Sequence, residues 1–460
     1  IQWFISDADY TDMHTNHVLD NVYLPCVIVL GDNIYDNSLI RIKGEYSRQF
    51  TKKSYKVKLP SGYKIDIPGG SSRQESEFHM NAEFHTGTMG HTLGAWWAIE
   101  ESGIPVPDII VTRMYKNGEY EGLYTYSEKY EKAWRDEYGY NDGEMIEDFN
   151  EIHSGANDLS SIIDWRDHMV LDEQTPGKRD YVLDNNDIPN IFNYMGVRTI
   201  LSSWDHYAAT NTFEYKSNET GRWSTLYWDL TSAYSTDQNM SHYPSPHDHD
   251  DGQSYDSRFF DYAIYGQKDL RELYFRRVRT LADKFYSTNE LEQKFQEFEA
   301  EYDSEMNLDI AKWPGDQFSG RGKYSQGYNN SFKEIKRHLL VLHRQPWALP
   351  PAQTQSEREA VSFDEVVADS NNANEYIKLS NSANTAVDLS NWVIEGINYT
   401  IPAGAVIPAN GSIYILRDDI NYRASHPSVL VAGQYDNDLG SSGNLTLKTD
   451  TGTTIDTRSY

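Results

Sequence analysis

Apolar and polar residues alternate in short runs over residues 1–60, in VYLPCVIVL, SLIRIKGEY and KSYKVKLP, with Gly, Asn and Asp between them. A period of two broken by turn residues predicts an N-terminal antiparallel sheet. The period lengthens in MGHTLGAWWAIEES (89–102), where apolar positions follow helical spacing and Gly103 and Pro105 supply the stop. Strand-like runs return in IIVTRMY and GLYTYSEKY around Asn117-Gly118, a dipeptide that tolerates the positive φ of a tight hairpin turn. Another helix is expected over 187–204, with Asp187 as N-cap and Pro189 in the opening turn. Charges set between apolar positions in LRELYFRRVRTLADKFY and LEQKFQEFEAEYDSEM make 266–345 helical in character. That periodicity stops at Pro346. PWALPPAQTQS opens a linker over 346–360, and EYIKLSN, SIYILRD and NLTLKTD give 361–460 the strand spacing of a β-sandwich.

Residues 204–235 read WDHYAATNTFEYKSNETGRWSTLYWDLTSAYS. TNTFEYKS and GRWSTLYWDL are rich in aromatic and β-branched residues, and NETG between them is a turn signal, so a β-hairpin is expected. A hairpin brings its ends together, which sets Asp205 and Asn211 at its entrance near Asp229 at its exit. Two carboxylates and a carboxamide there make a hard oxygen site suited to Mg²⁺, with one carboxylate left to act as base. That arrangement suits phosphoryl transfer. The plainer alternative is a set of loop residues capping strand ends.

The same run resembles the signature of the CotH kinase family, secreted atypical kinases of the bacterial spore coat. That family carries an Asp, then an Asn followed by aromatics, then a strand ending in Trp-Asp-Leu. RIKGEYSRQFTKKSYKVKL (41–59) is similar to the family's early R-x-K/R-G-x-S-S-R-x-F-x-K-K-S-Y-K stretch. YKNGEYEGLY (115–124), with Ser127-Glu128-Lys129 after it, is similar to its Y-x-N-G-x-Y-x-G-x-Y…E-K hairpin. The resemblance covers residues 1–345 in the family's order. It implies an α+β fold: a bilobal atypical protein-kinase-like domain, followed here by an immunoglobulin-like β-sandwich at 361–460. It also implies ATP and Mg as cofactors, Asp205 as catalytic base, and Asn211 and Asp229 as metal ligands. His206 is either a neighbour of the acceptor or a solvent-facing loop histidine. Thr231 stands where the family often has a second Asp.

Lys53, Lys56 and Lys58 lie on or just before one strand, and side-chain alternation puts Lys56 and Lys58 on one face. The resemblance places the nucleotide-contacting lysine in this block, Lys56 first and Lys53 next, with Arg48 in the preceding turn as a further phosphate contact. An ordinary charged strand face is the alternative. A helix partner for the lysine is expected at Glu100 or Glu101. Trp223, on Asp229's side of its strand by parity, and Tyr124 or Tyr126 are the candidate walls of an adenine slot, with core packing the competing reading. NEYIKLSN (374–381), AVDLSNW (386–392), IPAG (401–404) and DLGSSG (438–443) resemble the lamin tail domain. Trp392 is then its core aromatic, and Glu375 a strand or rim residue.

Composition narrows the partners. Seventy acidic against 41 basic residues give a formal net charge of −29, which disfavours nucleic acid and anionic membranes. Cys26 is the lone cysteine and lies in an apolar run, so an intrachain disulfide framework and a thiolate zinc site are excluded and a small buried hydrophobe is expected. No apolar run is long enough to span a bilayer. His242, His247, Asp248, His249, Asp250, Asp251 and Asp256 crowd one loop, read as a solvated insertion or a divalent-cation site. The expected function is a secreted or cell-surface Mg-dependent atypical protein kinase that phosphorylates a protein hydroxyl or itself, with the C-terminal module engaging an extracellular or cell-surface component. The alternative is a catalytically inactive kinase-like surface, spore-coat or matrix protein.

Overall fold

The computed structural model describes residues 1–65, 67–84, 86, 88–203, 205–206, 210–234, 260–315, 325–341 and 348–460. The chain divides into two compact units. One comprises Ile1–Trp97, Pro105–Asn141 and Glu292–Asn330; the other comprises Ala98–Ile104, Asp142–Leu291 and Ser331–Tyr460.

The first unit is built on a closed barrel. Its strands are β1 (Gln2–Phe4), β2 (Leu24–Leu30), β3 (Asn33–Lys43), β4 (Ser54–Lys58), β5 (Glu77–Asn81), β6 (Ile109–Lys116) and β7 (Glu119–Glu128), ordered β1-β2-β3-β4-β5-β7-β6. The expected antiparallel pairings hold, but closure comes from a short parallel pairing of Gln2 and Trp3 with Tyr115 and Lys116. Alternation does the rest: Tyr55 and Val57 of β4 point into the core while Lys56 and Lys58 point away from it. Asn117 (φ 50°) and Gly118 (φ 87°) form the left-handed turn between β6 and β7. Cys26 is buried, and burial pushes its thiol up to about 12.

A carboxyl pair is enclosed on this unit. Arg73 grips Glu128 bidentately at 2.7 and 2.8 Å, and Glu75 is buried beside it. No donor reaches either Glu75 oxygen among the described residues, so a hydrogen bond to Glu128 requires the proton on Glu75. Burial first, and the Glu128 charge second, push the Glu75 carboxyl from 4.5 up to about 9. The folded chain therefore binds more protons than the unfolded one between those values. Glu75's contribution to stability is complete below the unfolded value and is lost as pH rises toward 9. Glu75→Gln keeps a donor at every pH, and at pH 9 it should exceed wild type by about 1–3 kcal/mol in urea unfolding. Equal alkaline losses in both proteins would remove Glu75 as the titrating group.

The second unit holds a four-stranded sheet ordered β11-β10-β8-β9, from β8 (Glu144–Glu147), β9 (Glu151–Ser154), β10 (Thr212–Lys216) and β11 (Trp223–Tyr227). The helix Ile188–Leu201 packs on it. Asp187 caps that helix by accepting from the Asn190 N–H at 3.1 Å, and Pro189 sits in its first turn. The expected helical region contains Lys268–Ala282, Glu290–Lys312 and Ser325–Leu340.

Residues 361–460 carry two four-stranded sheets around one core that includes Ile377, Leu379, Trp392, Ile394, Ile413, Leu445 and Leu447. Trp392 is buried there as expected. Glu375 is buried too, accepting from Tyr435 Oη at 3.0 Å and the Leu439 N–H at 3.1 Å. One pairing departs from an all-antiparallel sandwich: Ser412–Leu416 and Val431–Gln434 run parallel, with the helix Asp419–Ser425 between them in the chain. The linker is held rather than loose over its described part. Arg276 donates to the Pro351 carbonyl at 2.7 Å and Arg279 to that of Pro350 at 3.3 Å. Thr354 and Glu357 form a reciprocal capping box on the helix Gln355–Arg358.

Candidate active site at the open end of a hairpin

Strands β10 and β11 pair from Thr212↔Tyr227 to Lys216↔Trp223. Asn211 and Asp229 flank the open end, and the Trp228 N–H donates to the Asn211 carbonyl at 2.8 Å. Asn211 Nδ2 donates to the Asp205 carbonyl oxygen at 3.0 Å and to its Oδ2 at 3.1 Å. That orientation leaves the Asn211 Oδ1 as an acceptor. Asp229 is exposed, and its Oδ1 accepts from the Thr231 N–H at 3.1 Å.

Asn211 (φ 54°) and Asp229 (φ 48°) both occupy the left-handed backbone region. Asn and Asp enter that region more readily than most residues, at a cost of roughly 1–3 kcal/mol each.

A hydrogen-bonded chain ties the loop before the hairpin to the one after it. His206 is fully buried, with Nε2 2.9 Å from the Trp228 carbonyl and Nδ1 2.6 Å from Ser203 Oγ. A carbonyl only accepts, so Nε2 bears the proton and Ser203 donates to Nδ1. Ser203 Oγ lies 2.7 Å from Ser232 Oγ, which accepts from the Asp205 N–H at 3.3 Å. Burial pushes the imidazole down to about 4, so it is neutral at physiological pH. His206 is thus neither a solvent-facing histidine nor an exposed neighbour of an acceptor. It is an internal clamp between Asp205 and the residue preceding Asp229.

A family model described as CotH kinase protein matches residues 40–341. The chain belongs to the CotH kinase family. A second model, Lamin Tail Domain, matches residues 354–460. Among solved structures the chain is similar to the Helicobacter pylori proinflammatory kinase CtkA, at 10% identity, over 56% of this chain and 93% of that one, with a TM-score of 0.25. At that score no residue role is carried across. No curated protein matches the chain.

The other expected site residues of this CotH-family chain fall in three groups. Lys56 lies on the outer face of β4 with its ammonium 2.6 Å from Glu77 Oε1. Its cross-strand neighbours are Arg41 and His79. Lys53 donates to the Arg48 carbonyl at 2.6 Å and the Phe50 carbonyl at 2.5 Å. Arg48 donates to the carbonyls of Gly44, Val18 and Asp20 and to Asn21 Oδ1, so its guanidinium fastens the turn to the preceding loop. This corrects the expectation of a phosphate contact at Arg48.

The adenine walls are corrected as well. Trp223 is buried against Trp165, stacked at 4.9 Å and 15°. It lies at the closed end of the hairpin, the end opposite Asp229. Tyr124 and Tyr126 belong to the barrel core, packed against Tyr55 and Phe78. Parity names a side of a strand, but β11 is buried on both faces, so it distinguishes no pocket.

The helix-borne acid is also displaced. Glu101 pairs with Lys284 at 2.9 Å on an exposed last turn, and Glu100 is exposed beside it. Within the block of Lys52, Lys53, Lys56 and Lys58 the fully enclosed lysine is Lys52, and its partner is Asp309 at 2.9 Å. Neither residue stood out in the sequence, where Lys52 is one of several lysines in a basic block. The seven-residue His/Asp group between His242 and Asp256 lies outside the described residues, and the described residues hold no group of three or more His, Cys, Asp or Glu side chains that could hold a metal ion.

Proposed function

We propose that the chain is a Mg-dependent atypical protein kinase that transfers the ATP γ-phosphate to a protein hydroxyl, on a partner or on itself, outside the cell. The observation that supports this reading is the Asn211–Asp205 hydrogen bond at the entrance of a hairpin whose exit leads to Asp229, with Asn211 and Asp229 both in the left-handed conformation. The donor set fits a hard cation: an Asn211 carbonyl oxygen and the exposed Asp229 carboxylate. Mg–ATP, when bound, supplies the phosphoryl group and neutralises its developing charge. Asp205 then orients the acceptor hydroxyl and takes its proton, the Ser203–His206–Ser232 chain fixes Asp205's backbone, and Lys56 is the phosphate contact that the resemblance implies. A bilobal kinase-like arrangement, a kinase domain over 1–345 and a separate C-terminal module over 361–460 that engages an extracellular component are parts of the same proposal. The described residues contain no helix long and apolar enough to cross a membrane.

The competing reading is a catalytically inactive, kinase-like surface or matrix protein. Thr231 favours it, because a neutral hydroxyl stands where the resemblance expects a second carboxylate. Calorimetric titration of ATP with and without Mg²⁺ separates the two. Wild type should bind only with metal, and Asp229→Ala should weaken binding by about tenfold or more while costing the fold only about 1 kcal/mol, from the lost Thr231 cap and the left-handed φ. Equal Mg–ATP affinity in a folded Asp229→Ala protein would strip Asp229 of its metal role, and no binding by wild type would leave the inactive reading.

A further inference from the structure

The C-terminal module and the catalytic hairpin belong to the same compact unit, and their contact is charged and buried. Arg222 sits at the start of β11's incoming run, 5% exposed, with Nε 3.0 Å from Asp419 Oδ2. Asp419 opens the helix Asp419–Ser425, and its other oxygen accepts from Arg423 Nε at 2.7 Å. Arg423 reaches onward, donating to the Asp184 carbonyl at 2.6 Å and to the Thr220 carbonyl at 2.5 Å. At the rim, Gln434 donates to Glu219 Oε1 at 2.6 Å. Thr220, Glu219 and Arg222 make up the closed end of the hairpin whose open end carries Asn211 and Asp229.

A second contact holds the helix that leads into the catalytic loop. Arg277 donates to Asn193 Oδ1, the Ser102 carbonyl, Asp388 Oδ2 and Ser390 Oγ, joining the module to Ile188–Leu201 through one guanidinium. Gly404 (φ 92°) lies so close that a Cβ there would stand 2.0 Å from the Pro189 carbonyl. Charges this enclosed are costly unless paired, so the contact is formed as a unit rather than by casual apposition.

From this we infer that the lamin-tail-like module braces the catalytic hairpin, with Arg222 as a positioning residue. The brace is a property of the fold, while its consequence for phosphate transfer rests on the proposed kinase function. The module grips the closed end, the five-pair ladder carries that constraint along the strands, and the two left-handed ligands at the open end are held in register.

The test uses the full chain without nucleotide, so it does not depend on kinase activity. Amide hydrogen exchange is followed over 212–227 in wild type, Arg222→Met and Arg222→Lys. Arg222→Met keeps the side-chain bulk and loses the cation; exchange across the hairpin should quicken about tenfold or more. Arg222→Lys keeps the cation and should restore most of the protection. Should Arg222→Met fail to fold, Gln434→Ala removes the rim contact and should quicken exchange at 216–223 about twofold. Hairpin exchange that stays at the wild-type rate in both Arg222→Met and Gln434→Ala, or that Met preserves as well as Lys, would overturn the brace. Failure of wild type to bind Mg–ATP would overturn the kinase reading and leave the brace standing.

Discussion

Asp205→Asn is expected to bind Mg–ATP within about twofold of wild type and to transfer phosphate slower by two or more orders of magnitude, the loss typical of a positioned base. The substitution is close to isosteric. The Asp205 backbone N–H still meets Ser232, and an Asn Oδ1 still accepts from Asn211 Nδ2, so the loop keeps its shape. What disappears is the charge that would accept the hydroxyl proton. Nucleotide binding is assigned to Asn211 and Asp229, which the change leaves in place. Radiolabel transfer to the protein itself and to generic substrates, beside calorimetric binding, reads both halves. Transfer that is indifferent to the substitution would move the base to another residue. Binding lost together with transfer would make Asp205 a ligand instead. Wild type that binds but transfers nothing to any acceptor would favour the inactive, kinase-like reading.

Local grammar carried much of the fold. Asp187 and Pro189 announce the helix Ile188–Leu201, Asn117-Gly118 announces its hairpin, and aromatic strands around NETG announce β10 and β11. The candidate site draws on the same hairpin: Asn211 bonds Asp205 at its entrance, and Asp229 follows its exit strand. What the pattern could not express was depth and long-range closure. Barrel closure depends on Gln2 and Trp3 finding Tyr115 and Lys116, a pairing with no local signal. Trp223 looked like a pocket wall because parity fixes a face, whereas its packing on Trp165 depends on a helix distant in sequence. Beyond the turn of period at Pro346, the residues from Val361 on pack around a core that includes Trp392. That turn gave no hint that Arg222 and Arg277 pair across to Asp419 and Asp388. Arg48 and Lys53 carry the same charge as Lys56, and only the structure shows the first two engaged with backbone carbonyls.

The same distinction separates Lys52 from Lys56 and leads to the second large effect. Lys52 is enclosed, donating to the Ala82 and Leu123 carbonyls, paired with Asp309 at 2.9 Å, and 4.2 Å from the centroid of the Tyr124 ring. Asp309 Oδ1 also accepts from the Leu123 N–H at 2.8 Å, and Gly122 supplies the room, since a Cβ there would stand 2.7 Å from that oxygen. The pair fastens the helix Glu290–Lys312 to the barrel. Removing only the cation strands a buried carboxylate, which costs roughly 3–5 kcal/mol, whereas removing both charges with apolar groups of similar volume is far milder. Lys52→Met should therefore lower the urea midpoint strongly, and Lys52→Met with Asp309→Leu should recover most of the loss. Lys56→Met, whose pair with Glu77 is enclosed less fully than Lys52–Asp309, should cost less stability than Lys52→Met and act instead on nucleotide affinity. If Lys52→Met unfolds at the wild-type urea concentration, the buried pair is not what holds the helix. If it keeps its stability and loses Mg–ATP binding, the phosphate-facing lysine is Lys52 rather than Lys56.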